Sequence, residues 1–137
     1  MTGVQTCALP IWVHRVWGAV ESYIASAVEH SKGEYTLEQA RAYVSHGQWL
    51  LLVATNEAGE IKGAATVNFF NRANERVACV TAIGGRLISS PDTFQQLKDF
   101  AVRMGATVLE GAARESIARL WKRYGFQEKY RIVEVKL

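Results

Sequence analysis

The apolar residues of this chain change period partway along it, and that change limits the fold more than any other feature. Val13, Val16, Trp17, Val20, Ile24, Ala27 and Val28 recur at three- and four-residue steps from Trp12 onward, the spacing that lays one apolar stripe along a helix of about five turns. Arg15, Glu21, Ser22, Ser26 and Glu29 fall on the other side. Gly33 breaks the pattern, and Thr36-Leu37-Glu38-Gln39 then has the form of a capping box, in which a hydroxyl and a carboxamide satisfy each other's backbone N–H groups. A second helix is expected from there to His46, stopped by Gly47. Beyond Trp49 the helical period is gone. Trp49 to Ala54 is a continuous apolar run, closed by the turn signal Asn56-Glu57-Ala58-Gly59, and Ile61 to Phe70 follows as a second extended run.

A polar turn at 71–75 leads to a third strand from Arg76 to Ile83, ended by Gly84-Gly85. Ser90-Pro91-Asp92 then reads as an N-cap, a first-turn proline and a first-turn acid. The helix it opens carries Phe94, Leu97, Ala101 and Met104 on one face and ends at Gly105. A short strand at 106–109, a helix from Arg114 to Tyr124 and one or two strands between Phe126 and Leu137 complete the pattern. Two helices, three antiparallel strands and a strand–helix–strand crossover define an α/β chain with one mixed sheet and helices on both faces, the crossover being right-handed.

The length of 137 residues suits one domain. With 49% apolar and 21% charged residues the chain is not disordered in composition, and no apolar run approaches the roughly 20 residues of a membrane span. Residues 1–85 hold 6 Lys/Arg against 7 Asp/Glu, and residues 86–137 hold 10 against 6. An excess that small and scattered is compatible with an anionic ligand in the second half and makes no case for nucleic acid. Cys7 and Cys79 match no metal spacing and form no disulfide framework, and His14, His30 and His46 have no i, i+4 pairing, so no metal site is expected. Without a basic segment ahead of an apolar one at the N-terminus, a cytoplasmic location is the expectation. Residues 1–11 have neither period, and their VQTCALPI string resembles a translated sequencing-adapter remnant. They are expected to be non-native, leaving 12–137 as the domain and its first strand missing.

The element order over about 12–137, with Ile117-Ala-Arg-Leu-Trp-Lys-Arg-Tyr-Gly-Phe126, is similar to the GNAT superfamily of N-acetyltransferases, whose last helix ends in a Leu-Tyr-x-x-x-Gly-Phe pattern. The resemblance implies acetyl-CoA as cofactor and an amine on a small molecule or a protein as acceptor. It also implies a pyrophosphate loop ahead of the crossover helix, of the form Gln/Arg-x-x-Gly-x-Gly/Ala, with backbone N–H groups aimed at the phosphates. Here that stretch is Arg86-Leu-Ile-Ser89-Ser90-Pro91, with serine and proline where glycines are expected. Arg86, Ser89, Ser90 and the out-of-frame Gly84 and Gly85 are the cofactor-binding candidates, although the two glycines are also explained by a strand end. Trp121 stands where the family often places a tyrosine acid. Tyr124 is the nearby hydroxyl, a catalytic candidate that core packing also explains. Arg114 opens the last helix, suited either to a phosphate or to a salt bridge. Glu75 and Glu110, near strand ends, are candidate general bases.

Two functions follow from this resemblance: an acyl-CoA-dependent N-acetyltransferase with a degenerate pyrophosphate loop, or a non-catalytic GNAT-like phage protein. The Trp-rich first helix, the YTLEQ and IGG strings and the Arg-initiated last helix resemble small GNAT-like proteins of tailed phages, some of them virion components. That reading implies phage structural proteins as partners.

Overall fold

The computed structural model describes residues 3–7 and 10–137, without the side chains of residues 3–12 and 88–89. Five strands form one sheet in the order β1-β2-β3-β4-β5: β1 Gly3–Cys7, β2 Leu50–Thr55, β3 Ile61–Asn71, β4 Arg76–Gly85 and β5 Val108–Gly111. The first four are antiparallel to their neighbours, and β5 runs parallel to β4 from Val77↔Val108 to Val80↔Gly111. Five helices accompany them: α1 Pro10–Val28, α2 Leu37–Ser45, α3 Arg86–Ser89, α4 Pro91–Arg103 and α5 Glu115–Lys122.

The apolar pattern builds two cores, one on each face of the sheet. Val13, Trp17, Val20 and Ile24 of α1, with Ala40 and Val44 of α2, bury against Leu51, Val53, Ala64 and Ala82. On the opposite face Phe94, Leu97, Phe100 and Ala101 of α4, with Trp121 of α5, bury against Leu52, Val67, Ala78 and Val80. The β2 sequence is apolar without alternation because both of its faces are covered. The capping box forms as its sequence dictates: Thr36 Oγ1 accepts from Gln39 N at 3.1 Å, and Gln39 Oε1 accepts from Thr36 N at 2.9 Å. At α4, Ser90 is the N-cap and Pro91 follows it.

The structure departs from three expectations. Gly3–Cys7, within the segment expected to lie outside the domain, pairs with β2 from Gly3↔Thr55 to Cys7↔Leu51, so the first strand is not missing. Strand pairing asks for an extended backbone at an open edge, and β2 offers one. Residues 126–137 form no strand, and beyond Phe126 the chain is exposed. Met104 is 42% exposed because it caps α4, and Phe100 occupies the buried position on that face.

Candidate functional site

The feature that shapes the site is an irregularity in the β3–β4 ladder. Thr66 pairs with Ala82 and Val67 with Val80, leaving Thr81 as an extra residue with no partner on β3. Its hydroxyl lies 2.7 Å from Thr66 Oγ1 and donates to Thr66 O at 3.1 Å, while the phenol of Tyr35, in the α1–α2 loop, donates to Thr81 O. Burial, reinforced by the neighbouring Glu34 carboxylate, pushes the Tyr35 phenol up to about 12, so it keeps its proton and remains a donor. β5 accompanies β4 only as far as Val80, so the last five residues of β4 have no neighbour on that side.

A recess of about 620 Å³ opens at this point, lined by Glu34, Tyr35, Tyr43, Gln48, Trp49, Asn68 and Thr81. Trp49 forms its aromatic wall, stacked against Tyr43 at 4.7 Å and met edge-on by Tyr35 at 5.0 Å. Asn68 pairs with Cys79 across the ladder, and burial pushes the Cys79 thiol up to about 11, which leaves it neutral and a poor nucleophile. A recess of this size, with a carboxylate and two carboxamides around an aromatic wall, suits a small polar molecule carrying an amine.

The predicted bases lie elsewhere. Both Glu110 oxygens are held by Arg72, at 2.5 and 2.9 Å, and that guanidinium keeps the carboxyl below its ordinary pKa. Glu75 lies 3.8 Å from the same Arg72 and 3.9 Å from Lys129. The cluster ties the β3–β4 turn to β5 and lines no part of the recess. Tyr124 stacks on Phe94 with ring centroids 4.7 Å apart and an interplanar angle of 21°, and its carbonyl accepts from Lys98. That is a packing role.

Gly84 and Gly85 are likewise occupied by the fold. A Cβ on Gly84 would lie 2.8 Å from Tyr23 O, and one on Gly85 2.4 Å from Lys62 O and 2.7 Å from Gly63 Cα. Gly85 also has φ +67°, ψ −143°, a combination reserved for glycine. These residues let β3, β4 and α1 approach backbone to backbone. Arg86 is exposed, and its carbonyl accepts from the buried Thr93 hydroxyl at 3.1 Å. Ser90 Oγ accepts from Thr93 N at 3.4 Å. The side chain of Ser89 lies outside the described residues. Arg114 is exposed at the start of α5 and makes no ion pair among the described residues.

No family model matches the sequence, and no curated relative does. Solved structures match over nearly the whole chain. An aminoglycoside acetyltransferase from an uncultured soil metagenomic sample superposes with a TM-score of 0.69 at 14% identity, covering 100% of this chain and 99% of that one. A second soil-metagenome aminoglycoside acetyltransferase, in complex with sisomicin, gives 0.70 at 9% identity over 99% and 95%. A predicted acetyltransferase from Clostridium acetobutylicum, solved with acetyl-CoA, gives 0.67 at 12% over 99% and 96%. The chain has the GNAT fold.

Within the GNAT frame the pyrophosphate loop can be tested against acetyl-CoA, and its residues do not fit in the usual way. Pro91 has no N–H to offer, Asp92 places a carboxylate in the first turn, and Ser90 Oγ already takes the Thr93 N–H. The glycines nearest the loop are closed off by backbone. At the position where GNAT enzymes often carry an acid, Trp121 is 4% exposed among Phe94 and Phe126, and its indole N–H has no hydrogen-bond partner among the described residues. An indole can donate a hydrogen bond and cannot transfer its proton. Sequence reasoning missed Glu34, Tyr35, Trp49 and Asn68. The capping box Thr36-Leu37-Glu38-Gln39 fixes where the α1–α2 loop ends and so where Glu34 and Tyr35 stand, whereas no local pattern marks Trp49 or Asn68.

Proposed function

We propose that this protein is a GNAT-type N-acyltransferase acting on a small molecule that carries an amine, with weak affinity for the acyl-CoA donor. The observation that carries this reading is the recess lined by Glu34, Trp49 and Asn68 beside the Thr81 irregularity of β4. In it the Glu34 carboxylate attracts an ammonium and accepts the proton that must leave before the nitrogen becomes a nucleophile. The Asn68 and Gln48 carboxamides orient hydroxyl or amino groups, and the Trp49–Tyr43 stack packs the apolar side of the ligand. The aminoglycoside acetyltransferases among the structural neighbours support an amino-bearing acceptor.

A second reading is supported by the pyrophosphate loop. Pro91, Asp92 and the backbone-filled glycines favour a protein that keeps the amine recess without acyl transfer, as in a non-catalytic GNAT-like component encoded by a phage.

Calorimetry with acetyl-CoA separates the two. Micromolar binding that is lost in Arg86→Ala supports the transferase, and no heat at millimolar acetyl-CoA overturns it. Titration with an aminoglycoside tests the recess: Glu34→Gln is expected to weaken binding by about fivefold, the scale of one exposed ion pair. Equal affinity in Glu34→Gln would remove the recess as the amine site.

A further inference from the structure

The donor side of the site offers a path for a thioester arm and a poor seat for the rest of acyl-CoA. β5 leaves β4 after Val80↔Gly111, so Thr81 is the first residue of β4 with no strand on that side, and Thr81 also lines the amine recess. An arm laid along the free side of β4 therefore ends beside the amine. At the outer end of that path Pro91 has no N–H, Asp92 adds a negative charge and the glycines are closed by backbone. Cations stand on α5 instead. Between Arg114 and Arg123 the chain has four, Arg114, Arg119, Lys122 and Arg123, against the single acid Glu115. All four are exposed, and none makes an ion pair among the described residues. Arg119 and Arg123 lie one turn apart and, with Ser116 and Leu120, line a depression of about 280 Å³. The buried side of the same helix packs through Trp121 and Tyr124 on Phe94, in the first turn of α4. The basic helix is thus seated next to the loop that holds a pyrophosphate poorly.

We infer that the preferred acyl donor is an acidic carrier protein bearing the acyl group as a thioester on a phosphopantetheine arm; the inference rests on the transferase reading above and names its donor. Such an arm is joined to its carrier through one phosphodiester and brings neither pyrophosphate nor adenosine, so Pro91, Asp92 and the closed glycines do not oppose it. Acetyl-CoA shares only the arm and is the poorer donor. From Arg114 to Arg123 the cations extend over about 13 Å of helix at 1.5 Å per residue, longer than one phosphate and matched to the acidic face of a protein. Exposed cations add little for a small ligand, whereas a complementary face sums several of them and steers the encounter. In the reaction the neutral amine attacks the thioester carbon: the C–N bond forms, the C–S bond breaks, the nitrogen gives up one proton to solvent by way of Glu34, and the carrier's departing thiolate takes one proton from solvent.

Fluorescence anisotropy of a labelled acetyl-carrier protein titrated with the full chain tests this. A Kd of tens of micromolar is expected at low salt, at least tenfold tighter than that of acetyl-CoA, and it should rise severalfold as salt screens the contact. Arg119→Glu combined with Arg123→Glu reverses two exposed charges, so circular dichroism should show an unchanged fold while carrier affinity falls at least tenfold. Transfer to a panel of amino sugars and aminoglycosides, read by mass spectrometry, compares three donors: acetyl-carrier protein, acetyl-CoA and acetyl-pantetheine, which has the arm alone. The carrier should give the highest kcat/KM, and its ratio to acetyl-pantetheine should fall at least tenfold in the double variant. Micromolar binding of acetyl-CoA, no carrier binding at about 500 µM, or carrier affinity indifferent to the charge reversal overturns the inference, and the transferase reading survives any of these if acetyl-pantetheine still acylates an amine. No transfer from any of the three donors overturns both.

Discussion

Replacing Gly85 by alanine measures whether the Gly84-Gly85 pair serves the fold or a ligand. The added methyl would sit 2.4 Å from the Lys62 carbonyl oxygen and 2.7 Å from Gly63 Cα, both main-chain atoms that can give way only by moving β3. Overpacking of this kind costs about 1–3 kcal/mol, and the glycine-only backbone conformation adds about 1–3 kcal/mol. With a middle value of about 4 kcal/mol for the two together and an unfolding entropy of about 0.3 kcal/mol/K for a chain of this length, Tm should fall by about 13 °C. Gly105→Ala is the control, since it has φ +84° with nothing within 4 Å of its Cβ and should cost only about 1 kcal/mol, or about 3 °C. Differential scanning calorimetry without any ligand reads both. A Gly85→Ala protein that melts with wild type and loses acetyl-CoA binding would refute the packing assignment and return the glycine to a phosphate loop.

Three further perturbations follow from the same geometry. Tyr35→Phe removes the donor to Thr81 O and should cost about 1–2 kcal/mol in urea unfolding at pH 7. Because the folded phenol has a pKa raised from 10.0 to about 12, its contribution is full below pH 10 and disappears as pH rises through the folded value. The wild-type advantage over Tyr35→Phe should therefore shrink across that window, and a difference independent of pH would contradict the assignment. Glu110 has the opposite sign. Its lowered pKa contributes stability above the ordinary value of 4.5 that is lost as pH falls through the folded value, so Arg72→Ala should flatten the acid limb of the stability profile and leave amine binding unchanged. Thr36→Ala deletes the cap of α2 and should lower stability by about 1 kcal/mol, or about 3 °C in Tm.

The helices of this chain were legible because their signals are local. Thr36 and Gln39 specify one N-terminus, Ser90 and Pro91 another, and Gly47 and Gly105 two of the ends, each within four residues of the structure it determines. The crossover was legible through connection rules once β4 and the 106–109 segment were recognised. The site was not, because it depends on contacts across the sheet. Nothing near Thr81 marks it as the extra residue of the ladder, since that follows from its register against Thr66, and Tyr35 lies 46 residues away from the carbonyl it meets. Glu75 and Glu110 read as free bases because Arg72, 38 residues from Glu110, gives no local sign of claiming that carboxylate. The Phe126–Leu137 segment shows a further limit: alternation predicts a strand, but forming one also requires a partner in reach.

The hydrogen bond from Tyr35 to Thr81 O also has a mechanical consequence. A phenol fastens the loop that carries Glu34 to Thr81, the one residue of β4 between Arg76 and Gly85 without a register partner on β3. Any ligand large enough to push that loop outward must break this strut and shift the bulge with it. Occupancy of the recess would thus be transmitted as strain along β4 toward Gly84-Gly85, where main chain packs on main chain and little slack exists to absorb it.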